Sequence, residues 1–307
     1  MNVLTNNVLM IKPHNFFFNE ETAVNNAYQQ DSKENVDIIQ KKALLEFDRL
    51  VEKLEKVGIN VHVLNDTSTP STPDSIFPNN WFSSHKNRKL VIYPMFAENR
   101  RLERTKFLKD LEEIVSIKDN DVLDLTSFED KNLFLEGTGA LVLDRINKIA
   151  YCSLSPRASQ EVLDEFCKKM DYTSISFTSS QNFNGKDVPI YHTNVMMGIG
   201  EKFVVVCLES IKNLEERKKV MDSFIKSKKE IIDISLKQVL SFSGNILELK
   251  NNRGRSFVLM SKTAYDGFTK KQRLVLEKYS EIIYSDIPTI EVNGGGSVRC
   301  MIAELFI

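Results

Sequence analysis

The sequence predicts an α/β fold assembled from five similar units, and three features point there. Short apolar strands alternate with long helices that are apolar on one stripe only. No Pro-, Gly- or Ser-rich linker divides the 307 residues. The GxGxxG turn expected of a doubly wound dinucleotide-binding sheet is absent, whereas five units of about 60 residues suit a closed radial array in which neighbours bury what one unit cannot.

The first unit reads as a strand over Val8–Lys12, a helix over Lys33–Val57 and a strand over Val61–Leu64. In that helix Ile38, Ile39, Leu44, Leu45, Phe47, Leu50, Val51 and Leu54 recur at helical spacing among Lys, Glu and Asp. The second unit is Leu90–Tyr93, a helix near Asn99–Ile114 and Val122–Leu125. The third has two apolar runs within Gly139–Leu154, a helix over Ser159–Lys169 and Tyr172–Phe177. The fourth has Val195–Ile199, Phe203–Leu208, a helix over Leu214–Ser227 and Ile231–Ile234. The fifth has Asn245–Leu249, Phe257–Met260, a helix over Lys270–Tyr279 and Ile282–Tyr284. The last segment, Ser297–Phe306, is expected to be a strand closing onto the first unit.

Composition narrows the function. With 41 Lys+Arg against 42 Asp+Glu the net charge is −1, which gives no global field to hold a nucleic acid. The apolar run Phe203–Leu208 is far short of the roughly 18 residues a membrane helix needs, and the segment Met1–His14 lacks the basic start of a signal peptide. The four cysteines (Cys152, Cys167, Cys207, Cys300) are scattered, and the four histidines show no HxH or HExxH spacing. A cytoplasmic chain with neither metal nor cofactor is expected, so any chemistry would use side chains alone.

Four segments do not read as scaffold. Three of the twelve glycines form Gly294-Gly295-Gly296, just before Ser297-Val298-Arg299-Cys300. They make either a tight turn beside a buried thiol or a loop of free N–H groups serving a nucleophile. His192 stands at the mouth of an apolar run, as a structural histidine or as an acid/base. Glu136 lies in Phe134-Leu135-Glu136-Gly137-Thr138-Gly139 among apolar neighbours, where burial would demand a partner. Asp74–Phe82 carries the single tryptophan and the amide pair Asn79-Asn80, a composition suited equally to a capped turn and to a small-molecule site.

Taken together and in order, these segments resemble the guanidine-modifying superfamily of arginine deiminases, dimethylarginine dimethylaminohydrolases, amidinotransferases and succinylarginine dihydrolases. The nearest branch is that of the citrulline-utilisation hydrolases, through FNEETAVNN (Phe18–Asn26), IFPNNWFSSH (Ile76–His85), FLEGTGALVLDR (Phe134–Arg145), YHTNVMMGIGEKF (Tyr191–Phe203) and GGGSVRCMIAE (Gly294–Glu304). The resemblance implies a five-bladed α/β propeller (a pentein) formed by residues 1–307 as one catalytic domain. It implies Cys300 as nucleophile, His192 as general acid/base and Glu136 as the carboxylate that grips the substrate. It implies hydrolysis of a C–N bond in a small ureido or guanidino amino acid. Amidinotransfer, arginine-type hydrolysis and a non-catalytic binder are the alternatives.

Three positions depart from the arginine-processing pattern: Asn80, Asn194 and Gly139 stand where that pattern carries aspartate. Amides can donate to a ureido oxygen, so the departures point toward a less cationic, citrulline-type substrate. Asn79, Asn19, Arg157 and Asn245 lie in or near the matching blocks as candidate contacts to the rest of the substrate.

Overall fold

The computed structural model describes residues 4–116 and 121–307; the first three residues of the N-terminal segment discussed above lie outside them. The described chain forms five three-stranded sheets of one topology, plus the hairpin Ser180–Phe183/Lys186–Pro189. In each sheet a central strand pairs antiparallel with one neighbour and parallel with the other. The central strands are Asn7–Lys12, Lys89–Ile92, Ile149–Ser153, Phe203–Val206 and Ser256–Ser261. Their parallel partners are Asn60–Asn65, Val122–Asp124, Thr173–Phe177, Glu230–Asp233 and Glu281–Ser285. A parallel partner cannot be reached by a tight turn, and a helix makes each crossover: Val36–Lys56, Glu98–Val115, Gln160–Met170, Leu214–Lys226 and Lys270–Glu277.

The period-two pleat distributes the core. Val8 and Met10 pack with Leu247, Leu249, Phe257 and Leu259 of the fifth sheet. Leu9 and Ile11 point the other way, to Phe82, Leu90 and Ile92 of the second. Val91 meets Ala150 and Cys152, while Tyr151 faces Val204–Val206. The central strands are therefore apolar on both faces, which explains their near-continuous hydrophobic runs. The first helix buries a narrower stripe than its sequence suggests: Ile39, Phe47, Leu50 and Leu54 are covered, but Ile38 and Leu45 are exposed. Among the described residues no helix is long and apolar enough to cross a membrane.

The antiparallel strands begin later than expected, and that delay builds the site. Val195 and Met196 belong to a helical turn, Thr193–Met196, so the strand starts at Met197. Asn245 and Ile246 precede the strand Leu247–Lys250. The expected strand Ser297–Phe306 is a strand only over Ala303–Leu305; before it, Cys300, Met301 and Ile302 each bond the carbonyl three residues back. The helix Pro288–Gly294 ends on left-handed Gly295, which turns the chain too tightly for an extended continuation.

Candidate active site

Each antiparallel strand is preceded by a compact turn, and these five lead-in turns carry the candidate residues. Asn79 and Asn80 lie in the turn Pro78–Asn80, Glu136 caps the turn Gly137–Ala140, and His192 caps Thr193–Met196. Asn245 occupies the corresponding turn of the fifth sheet, and Cys300 that of the first, whose antiparallel strand Ala303–Leu305 comes from the end of the chain. The turn Gly137–Ala140 touches both Pro78–Asn80 and Thr193–Met196, so residues more than fifty positions apart meet.

Glu136 is fully buried. Its Oε1 accepts from the Phe96 N–H at 3.0 Å; its Oε2 accepts from His192 Nε2 at 2.7 Å and from Arg157 Nη1 at 3.4 Å. Burial alone would raise its pKa, but the Arg157 charge and the His192 bond overcome it and hold the carboxyl well below the usual range. An ionised carboxylate only accepts, so His192 keeps its proton on Nε2 and leaves Nδ1 as the basic nitrogen. Burial pushes His192 down to about 4, against the raising effect of Glu136, so the ring is neutral at pH 7.

Cys300 is buried, and its Sγ accepts from Asn245 Nδ2 at 3.2 Å and Asn194 Nδ2 at 3.5 Å. Asn245 also receives the Arg299 N–H at 3.0 Å and donates to the Asn194 carbonyl at 3.2 Å, tying the two turns together. Both amides are placed to solvate sulfur as negative charge develops on it. Cys300 and His192 line one small cavity with Asn80, Asp74, Arg100, Arg157 and Tyr191. Two buried polar atoms of its lining residues, Asn80 Nδ2 and Asp74 Oδ1, have no partner among the described residues, nor do Asn79 Nδ2 and Oδ1 and Asn194 Oδ1 in the neighbouring turns. Natural interiors rarely leave so many groups unpaired in one place, and a polar ligand would satisfy them.

A family model described as N,N dimethylarginine dimethylhydrolase, eukaryotic, matches residues 12–307. The chain belongs to this family. The family falls within the pentein superfamily, whose relatives include guanidino-modifying enzymes. No curated protein matches the sequence. Among solved structures, the chain is similar to the arginine dihydrolase ArgZ from the ornithine-ammonia cycle in cyanobacteria, at 14% identity and TM-score 0.74, covering 97% of this chain and 40% of that one. It thus spans well under half the length of that neighbour. The N-terminal domain of ArgZ, covalently bound to a reaction intermediate, matches at 15% identity and TM-score 0.72, with 97% of each chain covered. The dimethylarginine enzyme (DDAH) of Pseudomonas aeruginosa, in complex with citrulline, matches at 13% identity and TM-score 0.66, covering 99% of this chain and all of that one. At such identities these likenesses speak to the fold alone, which is mixed α/β in all of them.

In this family member not every sequence candidate faces the cavity. Asn19 lies off it: its amide donates to Asp74 and Asn99, and its oxygen accepts from the Glu21 N–H and Asn99. Asn19 is a helix N-cap and a cross-tie, with no free valence for a ligand. Arg157 lines the cavity but also holds Asn25 and the Thr22 carbonyl at 2.7 Å each. Asn194 reaches sulfur from a second, larger cavity that also borders Arg299. Sequence reasoning missed Arg100 and Asp74. Arg100 is buried, binds Glu103 through two hydrogen bonds of 2.8 and 3.0 Å, and donates to Asn80 Oδ1 at 2.7 Å. Burial raises Glu103 to about 7 against the opposing pull of Arg100. A signal was present, because Arg100 and Glu103 share the helical stripe of Phe107, Leu111 and Val115, where a surface helix carries apolar residues.

Proposed function

We propose that this protein is a cysteine-dependent hydrolase that cleaves a C–N bond of a small ureido or guanidino amino acid. The observation that carries the reading is the buried Glu136–His192 hydrogen bond, beside a cysteine whose sulfur faces two amide donors. Cys300 Sγ attacks the planar carbon, forming the S–C bond, while the thiol proton passes through His192 Nδ1 to the departing nitrogen. That relay is needed because a neutral His192 has no proton of its own to spare. With citrulline the C–N bond to ornithine breaks and a carbamoyl-cysteine remains. His192 then takes a proton from water, whose oxygen attacks the same carbon; the S–C bond breaks, and the released carbamate falls to ammonia and carbon dioxide. With arginine the same attack, expelling ammonia, gives a thiouronium adduct whose hydrolysis yields citrulline.

The architecture favours the same reading. Core clusters between sheets one and two, two and three, three to five, and five and one support a five-bladed propeller of residues 1–307, with the lead-in turns at its centre. The test is a screen of citrulline, arginine, agmatine, methylated arginines and succinylarginine, reading ammonia, the organic product and the intact mass of the protein. Turnover with a transient adduct that maps to Cys300 and is absent from Cys300→Ser supports the proposal. Turnover that survives in Cys300→Ser overturns it.

A further inference from the structure

Resting on that reading and deepening it, we infer that Arg100 is a specificity-determining residue, which locks the Asn80 amide so that only N–H donors face the reacting group and thereby selects a carbonyl (ureido) substrate over an amidino one. An amide can ordinarily turn over and present either its oxygen or its nitrogen. Here it cannot, because guanidinium only donates and Arg100 Nη1 lies 2.7 Å from Asn80 Oδ1. Arg100 is itself held by Glu103 and by the Phe77 carbonyl at 2.9 Å, so the lock is rigid. The other end of the amide, Nδ2, is buried with no partner among the described residues.

Asn80 lines the cavity that also holds Cys300 and His192. A Cβ on Gly139 would fall 2.4 Å from Asn80 Nδ2 and 2.7 Å from His192 Nδ1, so only a glycine there lets both groups close in on this turn. A carbonyl oxygen bound in that cavity against Nδ2 accepts from Asn80, whereas an amidino N–H meets a second N–H. The same arrangement changes what an acid at this position could do. A carboxylate at position 80 would be neutralised by Arg100 before it could hold a guanidinium.

The experiment measures kcat/KM for citrulline and arginine in four proteins, each checked for folding by circular dichroism. They are wild type, Asn80→Asp, Arg100→Lys, and Arg100→Met/Glu103→Leu, which removes the buried pair together and leaves no lone charge. The citrulline-to-arginine ratio is expected to fall by about 5- to 30-fold in the paired variant, the size of one oriented hydrogen bond. Arg100→Lys, which retains a donor to Asn80, should keep part of the ratio. Asn80→Asp should lose citrulline activity without gaining arginine activity. Equal losses for both substrates, or a tenfold gain with arginine in Asn80→Asp, overturn the inference. Dissociation constants for both ligands in a Cys300→Ser background separate it from the hydrolase reading. A wild type that turns over neither substrate, with the binding ratio still falling in the paired variant, sinks the hydrolase and leaves the amide lock standing. An unmoved binding ratio, or no binding of either ligand, sinks the lock.

Discussion

Replacing Glu136 by glutamine removes one charge at nearly constant shape, and the geometry around it says why the site cannot adapt. The native carboxylate accepts from three donors: the Phe96 N–H, His192 Nε2 and Arg157 Nη1. A glutamine offers one oxygen and one NH2. If its oxygen stays on Phe96, the NH2 opposes both His192 and Arg157, and His192 relieves the conflict only by moving its proton to Nδ1. That is the wrong tautomer for a base facing the substrate. If the oxygen turns to His192, two N–H groups collide at Phe96. Either way a buried group is left unpaired, costing about 1–3 kcal/mol. Arg157 also loses the neutralising charge, although Asn25 and the Thr22 carbonyl still hold it. The stability loss should total about 3 kcal/mol, read as a lower Tm by calorimetry. Catalysis should suffer far more, about 10³- to 10⁴-fold in kcat, the scale set by removing the carboxylate that orients a catalytic histidine. Stopped-time assays of ammonia release, with ligand binding followed separately by calorimetry, give both numbers. A folded Glu136→Gln protein with kcat within tenfold of wild type would refute the proton-relay assignment.

Two further outcomes follow from the same contacts. His192 is pushed down from 6.5 to about 4, chiefly by burial, so the folded state keeps it neutral while the unfolded chain protonates it below 6.5. Its contribution is therefore whole above pH 6.5 and drains away as pH falls toward 4, by about 3 kcal/mol, and buried His85, also driven down mainly by burial, acts in the same direction. Glu103, raised by burial to about 7, acts in the opposite direction over the same range, so the test is the Tm of wild type relative to His192→Gln from pH 7.5 to 4.5, which should move against wild type as pH falls; a difference that does not change with pH contradicts a neutral, buried His192. Gly295→Ala places a Cβ at φ +62°, 2.5 Å from Asn26 Nδ2 and 2.7 Å from the Gln29 backbone nitrogen, and should cost about 2–3 kcal/mol. Because the Gly295 carbonyl accepts from Tyr191 Oη at 2.8 Å, the strain should also reach the turn beside His192 and lower kcat. Gly185→Ala, at φ +78° with open space around it, is the control and should cost only the left-handed backbone penalty, as urea unfolding of both proteins will report.

Periodicity was enough to find the five units, because strands apolar on both faces and helices apolar on one leave a pattern that local chemistry cannot disguise. The settings of Cys300, His192 and Glu136, among glycines or beside an apolar run, marked them without deciding between a structural and a chemical part; the resemblance to the guanidine-modifying superfamily is what joined them. Tertiary structure decided what those residues touch. The tautomer of His192 is set by Glu136, which lies 56 positions away, and its neutral charge chiefly by burial, while Arg157 and His192 keep Glu136 ionised against its burial. Asn19 looked like a ligand contact and is a cap, because its amide is used up by Asp74 and Asn99, from other parts of the chain. Arg100 lies on a polar helix, and it is the fold that turns its stripe inward onto Asn80. Sequence determines which groups are present and how the chain curls locally; the orientation of an amide and the charge of an imidazole depend on partners that only the packed fold brings within 3 Å.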